Sequence, residues 1–217
     1  MPHLRPPRQD NPADGLLIDA ATRANLELTR TLQGERQGSL LATIDRTITP
    51  AGRRRLAAVL GQPLADPKPI MARLDGVDAF VTGERMRKDL RTALSTMPDM
   101  ERALARLSAN RGGPRDLAMM RDGVLAAQGI VALLQGATDL PGIIRQDMNV
   151  VAAAPFELAD RLTKSLAIEL PHLARDGGFI AAGFHAELDE QRALRDDTRQ
   201  VIAALQARYA EMTGLRT

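Results

Sequence analysis

Ala186 to Met212 reads AELDEQRALRDDTRQVIAALQARYAEM, with no glycine or proline to interrupt a helix. At 1.5 Å per residue such a helix is about 40 Å long, well beyond the usual length in globular domains. Its apolar residues, Leu188, Leu194, Val201, Leu205, Tyr209 and Met212, form a narrow seam flanked by Asp196, Asp197, Arg199, Gln200 and Arg208. That spacing suits a two-helix coil better than a broad core face. A seam of this kind calls for a second long helix. Thr213-Gly214 is a stop signal and the sequence ends at Thr217, so the expectation is a piece of a longer protein whose remainder supplies the partner. Immediately upstream, Asp176-Gly177-Gly178-Phe179-Ile180 and Gly183 predict a glycine-pinned turn that launches the rod.

The composition agrees with helix. Of 217 residues, 44% are hydrophobic but only 2% aromatic, so the core is built from Leu, Ala, Ile, Val and Met. The charge is close to balanced, 29 basic against 27 acidic residues. That balance argues against a free-standing nucleic-acid binder while leaving room for local arginine patches. Cysteine is absent, which removes disulfides, thiolate metal sites and cysteine nucleophiles together. No uncharged run of membrane-spanning length and no secretory leader is visible, so a soluble cytoplasmic location is expected.

Residues 1–15 contain four prolines and no hydrophobic period, and read as a linker or extended arm. Leu16-Leu17-Ile18 is a candidate short strand, and Asp19 a cap for a helix from Ala20 to about Leu28. Ser39 caps a turn ending near Ile44. Thr49-Pro50 and Asp66-Pro67 are strong helix starts, a capping side chain followed by proline at the first helical position. The first of these helices stops at Gly61. The second carries Ile70, Leu74, Val77, Phe80 and Val81 as an apolar face. Further helices are expected over Glu84 to Ser95, after Met97-Pro98-Asp99 with Met100, Leu104 and Leu107, and from Pro114 to about Gln135. In the last, Gly123 and Gly129 suggest close helix packing. Two shorter helices, about Gly142 to Val151 and Pro155 to Leu166, lead back to the glycine turn, where Phe179 to Ala181 is the other candidate strand. The fold class is therefore all-α with minimal strand, a helical core over residues 16–183 and a long helix over 184–217. No repeat of 30 to 50 residues is present.

Candidate chemistry is thin. Gly178-Phe179-Ile180-Ala181-Ala182-Gly183 has the glycine spacing of a phosphate-binding loop, but Phe184-His185 follows where such a loop needs Lys and then Ser or Thr. His185 and Asp189 share a helix face and His172 is near in sequence, yet spacing fixes no third metal ligand. The carboxylate groups Asp75/Asp78, Asp196/Asp197 and Glu187/Asp189/Glu190 lie among arginines and read as solvated salt-bridge faces. Ser39, Ser95, Ser108 and Ser165 lack the strand-turn-helix setting of an activated nucleophile. No catalytic, cofactor-binding or metal residue is assigned. The basic clusters Arg53-Arg54-Arg55 and Arg85 to Arg91 are able to meet phosphates, but acidic residues are interleaved throughout and a solvated helix face is the simpler reading.

Several segments, in order, resemble one family. Leu17-Ile18-Asp19-Ala20-Ala21-Thr22-Arg23-Ala24-Asn25-Leu26-Glu27-Leu28 is similar to the opening of the core domain of MutS, the bacterial DNA mismatch repair family. Ser39-Leu40-Leu41, Asp45-Arg46-Thr47-Ile48-Thr49-Pro50-Ala51-Gly52-Arg53-Arg54-Arg55-Leu56 and Gln62-Pro63-Leu64 resemble the next stretch. Met100-Glu101-Arg102-Ala103-Leu104-Ala105-Arg106-Leu107 and Pro114-Arg115-Asp116-Leu117 resemble the central helices. Arg175 to Ile180, Gly183-Phe184, Glu187-Leu188-Asp189-Glu190 and Glu211-Met212-Thr213-Gly214-Leu215 resemble the passage into the lever. Leu4-Arg5-Pro6-Pro7 looks like the end of a connection from a preceding domain. Residues 135–170 carry the least resemblance.

The resemblance implies a core and first lever segment that couples an ATPase to DNA clamping and mismatch recognition, ending before the clamp. It implies that the fragment is not itself an enzyme and holds no cofactor, while the parent protein uses ATP and magnesium. Mismatched double-stranded DNA, a second MutS subunit and a MutL-type partner are the implied partners, in the cytoplasm at the nucleoid. The alternative is an autonomous helical interaction module that dimerises through its long C-terminal helix.

Overall fold

The computed structural model describes residues 15–137 and 139–213, and its described elements are helices and turns with no sheet. The arm expected over residues 1–15 falls, apart from Gly15, outside the described residues, as does the end of the chain from Gly214. The helices are α1 (Ala20–Asn25), α2 (Leu40–Ile44), α3 (Pro50–Gly61), α4 (Pro67–Thr82), α5 (Glu84–Ser95) and α6 (Met100–Ser108). They continue with α7 (Pro114–Gln135), α8 (Gly142–Ala152), α9 (Phe156–Ser165) and α10 (Ala186–Thr213), with one 3-10 turn at Ala174–Asp176.

Local chemistry sets most of these starts. Asp19, Ser39, Thr49, Asp66 and Asp99 each accept a hydrogen bond from a backbone N–H of the first helical turn, which satisfies a donor that the helix itself leaves open. At α7 the bond runs in reverse. Asp116 Oδ2 accepts from the Gly113 N–H at 3.0 Å, and Pro114 occupies the first helical position, where its missing N–H costs nothing. Helix α1 stops at Asn25, short of the expected Leu28, because Glu27 takes a left-handed conformation with φ 47°. That turn drops Leu28 into the interior.

Helix α7 is the axis of the core. Helices α5, α6, α8 and α9 all pack against it, while α4 packs on α5 and α8 and α2 packs on α3. Val124, Val131 and Leu134 are buried along it, and Leu140 and Ile144 close its far end with Phe80 and Met86 beside them. By length and hydropathy alone α7 would also suit a membrane span. It is instead the central helix of the bundle, carrying Asp116, Arg121 and Asp122.

The two glycines of α7 part company. Gly123 is buried against Met100 of α6, so closely that a Cβ there would overlap the thioether sulfur. Gly129 is exposed with nothing near it, and close packing does not explain it. On α6 the fully buried residue is Ala103, while Leu104 points outward. On α4 the apolar face is present but largely uncovered: Leu74, Val77 and Val81 are exposed, and Gly76 is the buried residue, facing Ile143 of α8. Neither candidate strand forms. Leu16 donates one bond to the Pro63 carbonyl without pairing into a ladder. Ile180 makes an isolated antiparallel bridge with Leu166.

Candidate functional site at the base of the terminal helix

Helix α10 is fastened at its base. From residue 193 to 209 every residue is exposed, including Leu194, Val201, Ile202 and Leu205. The hydrogen bonds that tie it to the core lie in its first two turns and the glycine turn before them. Gly177, Gly178 and Gly183 all have positive φ, from 71° to 83°, a region costly for residues with a Cβ. Between them the chain runs back antiparallel to the end of α9: Ala167 N–H donates to the Phe179 carbonyl at 2.9 Å, and Ala181 N–H to that of Ser165 at 2.8 Å.

Two side chains lock α10 onto this bridge. Arg192 donates through Nη2 to the Ile180 carbonyl at 2.9 Å and through Nη1 to Asp189 Oδ1 at 3.2 Å. Asp189 Oδ2 accepts from the Gly183 N–H at 2.7 Å, and the Asp189 N–H donates to the His185 carbonyl. A carboxylate in the first helical turn also suits the positive end of the helix dipole. Helix α9 ends at Ser165 and packs on α7, so the bridge joins the base of α10 to an element that lies against the central helix. Arg115, in the first turn of α7, adds a second tie by donating to the Leu170 carbonyl at 3.3 Å.

A second set of ion pairs braces the core. Arg54 of α3 forks onto Asp99 (2.6 and 2.9 Å) and reaches Glu101 as well (2.6 Å), joining α3 to the start of α6. Arg106 of α6 grips Asp116 of α7 through Nε at 2.9 Å and through Nη2. Asp45 pairs with Arg36 and Arg53 and accepts from Thr47. These contacts hold carboxyl groups below their ordinary pKa: the Arg54 guanidinium does so for Asp99, that of Arg106 for Asp116, and the Thr47 hydroxyl and N–H for Asp45.

The other sequence candidates disperse. Asp189 is occupied as a helix cap, and the described residues contain no cluster of potential metal ligands. Ser39 and Ser165 are buried and spend their hydroxyls on the carbonyls of Arg36 and Leu162; Ser95 bonds that of Thr92, and Ser108 is exposed. The cluster Arg53-Arg54-Arg55 splits, with Arg53 and Arg54 paired as above and Arg55 on the surface. Within the other cluster, Arg87 caps α4 by donating to the Phe80 and Val81 carbonyls, and Arg91 donates to the carbonyl of Arg46. These arginines are ties as well as surface charges. Sequence reasoning missed the Arg192 and Arg115 ties; for Arg192, its position three residues after Asp189 was the available signal.

The described residues form a braced helical core with a rod clasped at its base, and they bring together no cluster of potential metal ligands. The chain belongs to the MutS family and is its core domain: the profile described as MutS domain III matches residues 21–215. It is 54% identical over 215 residues to the DNA mismatch repair protein MutS of Rhodopseudomonas palustris strain BisA53, covering 99% of this chain and 24% of that protein. The proteins of the same name from Nitrobacter winogradskyi and Rhizobium meliloti are 53% and 50% identical over 216 residues, each covering 100% of this chain and 24% of the relative. The chain thus spans about a quarter of the length of these curated relatives. It is the core domain of a DNA mismatch repair protein.

Proposed function

We propose that this segment transmits mechanical state within a longer mismatch-repair protein, with α10 as the first half of a lever and the Asp189–Arg192 clasp as its fulcrum. The observation that carries the reading is the contrast between a base fixed by several bonds and a shaft exposed along its length. A helix clasped in this way carries an angular change over tens of ångströms, because bending it would break its ladder of hydrogen bonds. In this reading the parent protein binds mismatched duplex in an ATP- and magnesium-dependent manner, pairs with a second MutS subunit, and works with a MutL-type partner in the cytoplasm at the nucleoid.

The test is a graft. This segment replaces its counterpart in the Rhizobium meliloti protein, either intact or carrying Asp189→Ala with Arg192→Ala, and fluorescence anisotropy follows a labelled mismatched duplex before and after ATP. The intact graft is expected to restore the ATP response, and the double variant to bind the mismatch but lose the response. A double variant that responds normally removes the fulcrum from the reading. The isolated 217 residues are expected neither to hydrolyse ATP nor to distinguish mismatched from paired duplex.

The exposed seam also favours a second reading, self-association through α10. It predicts a concentration-dependent dimer in sedimentation that Val201→Asp and Leu205→Asp abolish, and a strictly monomeric profile would exclude it.

A further inference from the structure

Helix α5 lies at the bottom of a continuous surface track that the lever reading does not use. At one end, a depression of about 530 Å³ between α4 and α8 is floored by Val77, Phe80, Val81, Ile143 and Ile144. Arg87 forms its edge and also lines the next depression, about 520 Å³, with Lys88, Arg91, Thr92 and Ser95. Arg91 and Ile48 are shared in turn with a third, about 340 Å³, which adds Arg46, Ile44 and Leu94. The track therefore runs the length of α5, roughly 18 Å for twelve residues.

Its chemistry changes along the way. The α4 end is apolar, and Val77 and Val81 there are 57% and 62% exposed, although they belong to one face of a core helix. The middle is cationic. Arg46, Arg73, Arg87, Lys88 and Arg91 line the track against the carboxylates of Glu84 and Asp147, in a chain that is otherwise almost balanced. The bonds from Arg87 to the Phe80 and Val81 carbonyls and from Arg91 to that of Arg46 fix these guanidinium groups at the two junctions before any ligand arrives.

We propose that this track is a docking site for an acidic segment of a partner protein, with an apolar side chain against Phe80, Val81 and Ile143 and carboxylates along Arg87, Lys88 and Arg91. Charge complementarity selects the acid, and the apolar floor selects a peptide. The phosphate backbone of a duplex would satisfy the cations but offers nothing to set against Val81 and Ile48.

The probe is a short fluorescein-labelled peptide of Glu and Asp led by two Leu, titrated with the 217-residue chain and followed by anisotropy at low and at physiological salt. Binding is expected to weaken as salt rises. Lys88→Glu and Val81→Asp are each expected to weaken it roughly tenfold with helicity unchanged in circular dichroism. Both positions are exposed, and if Val81→Asp does not fold, Val77→Asp tests the same pocket. Absence of binding overturns the proposal. So does loss in Lys88→Glu with no effect of Val81→Asp while an unlabelled duplex competes, which would make the track a nucleic-acid patch. Binding to the isolated chain that disappears in the Rhizobium meliloti graft overturns the partner assignment, since a segment of the longer protein then fills the track.

Discussion

Val131 of α7 and Leu205 of α10 are aliphatic side chains on long, uninterrupted helices, yet one is 8% exposed and the other 45%. Four helices pack around α7 and the Val131 side chain is buried, whereas Leu205 on α10 is exposed to water. The difference shows that this segment has two kinds of stability. The core is cooperative, because losing one contact around α7 loosens several elements at once. The rod persists through its own backbone ladder and its clasp.

The strongest way to break the comparison is to delete the same atoms in both places. Leu134→Ala, at a fully enclosed position of α7, is expected to cost about 3 kcal/mol in urea denaturation, whereas Leu205→Ala is expected to stay within about 0.5 kcal/mol. Equal losses would mean that α10 is packed in solution. Next comes Asp116→Ala, which strips Arg106 of its carboxylate and leaves the Gly113 N–H without its acceptor. It is expected to cost about 2 kcal/mol.

The same ion pairs make the core sensitive to acid. Asp99, Asp116 and Asp45 all have folded-state pKa values below their ordinary ones, so their contribution is complete above the unfolded carboxylate pKa of about 4 and is lost as pH falls from there through the depressed values. Stability measured from pH 6 downward is expected to fall below about pH 4, and to fall less steeply in Asp99→Asn. An identical slope in that variant would place the acid-sensitive groups elsewhere.

Smaller effects sharpen the boundary between the two regions. Asp189→Ala removes the cap at Gly183 and the partner of Arg192, and is expected to cost about 1 kcal/mol, read as faster amide exchange in the first turns of α10 with the α7 amides unchanged. Gly129→Ala is expected to stabilise the core by about 0.7 kcal/mol, because the new methyl meets open space on a helix interior. At Gly123 the same change meets Met100, and its helix-propensity gain is offset by overpacking.

Much of the element map was legible because it rests on short-range interactions. Thr49 capping the Gly52 N–H and Asp99 capping that of Arg102 operate over three residues, and proline at the start of α3, α4 and α7 acts through its own ring. The glycine turn was equally local. What failed was burial and partnership. The apolar faces of α4 and α6 were visible as patterns, but nothing in them said that Val81 would stay exposed or that Ala103, not Leu104, would be enclosed. Asp189 was noticed as a possible ligand because carboxylate and histidine share a helix face. Its actual role depends on where Gly183 delivers its N–H.

The sequence by itself determined the helices, their starts, the glycine turn and the length of the rod, because helix propensity, capping and backbone conformation act within a few residues of each other. Only the tertiary structure decided that Arg54 reaches Asp99 and Glu101, 45 and 47 positions away, that Arg192 finds the Ile180 carbonyl, and that Gly123 rather than Gly129 sits under a neighbouring helix. Those outcomes depend on which helix faces pack together. Packing minimises voids and unpaired polar groups across the whole domain at once, and so is not written at any one position.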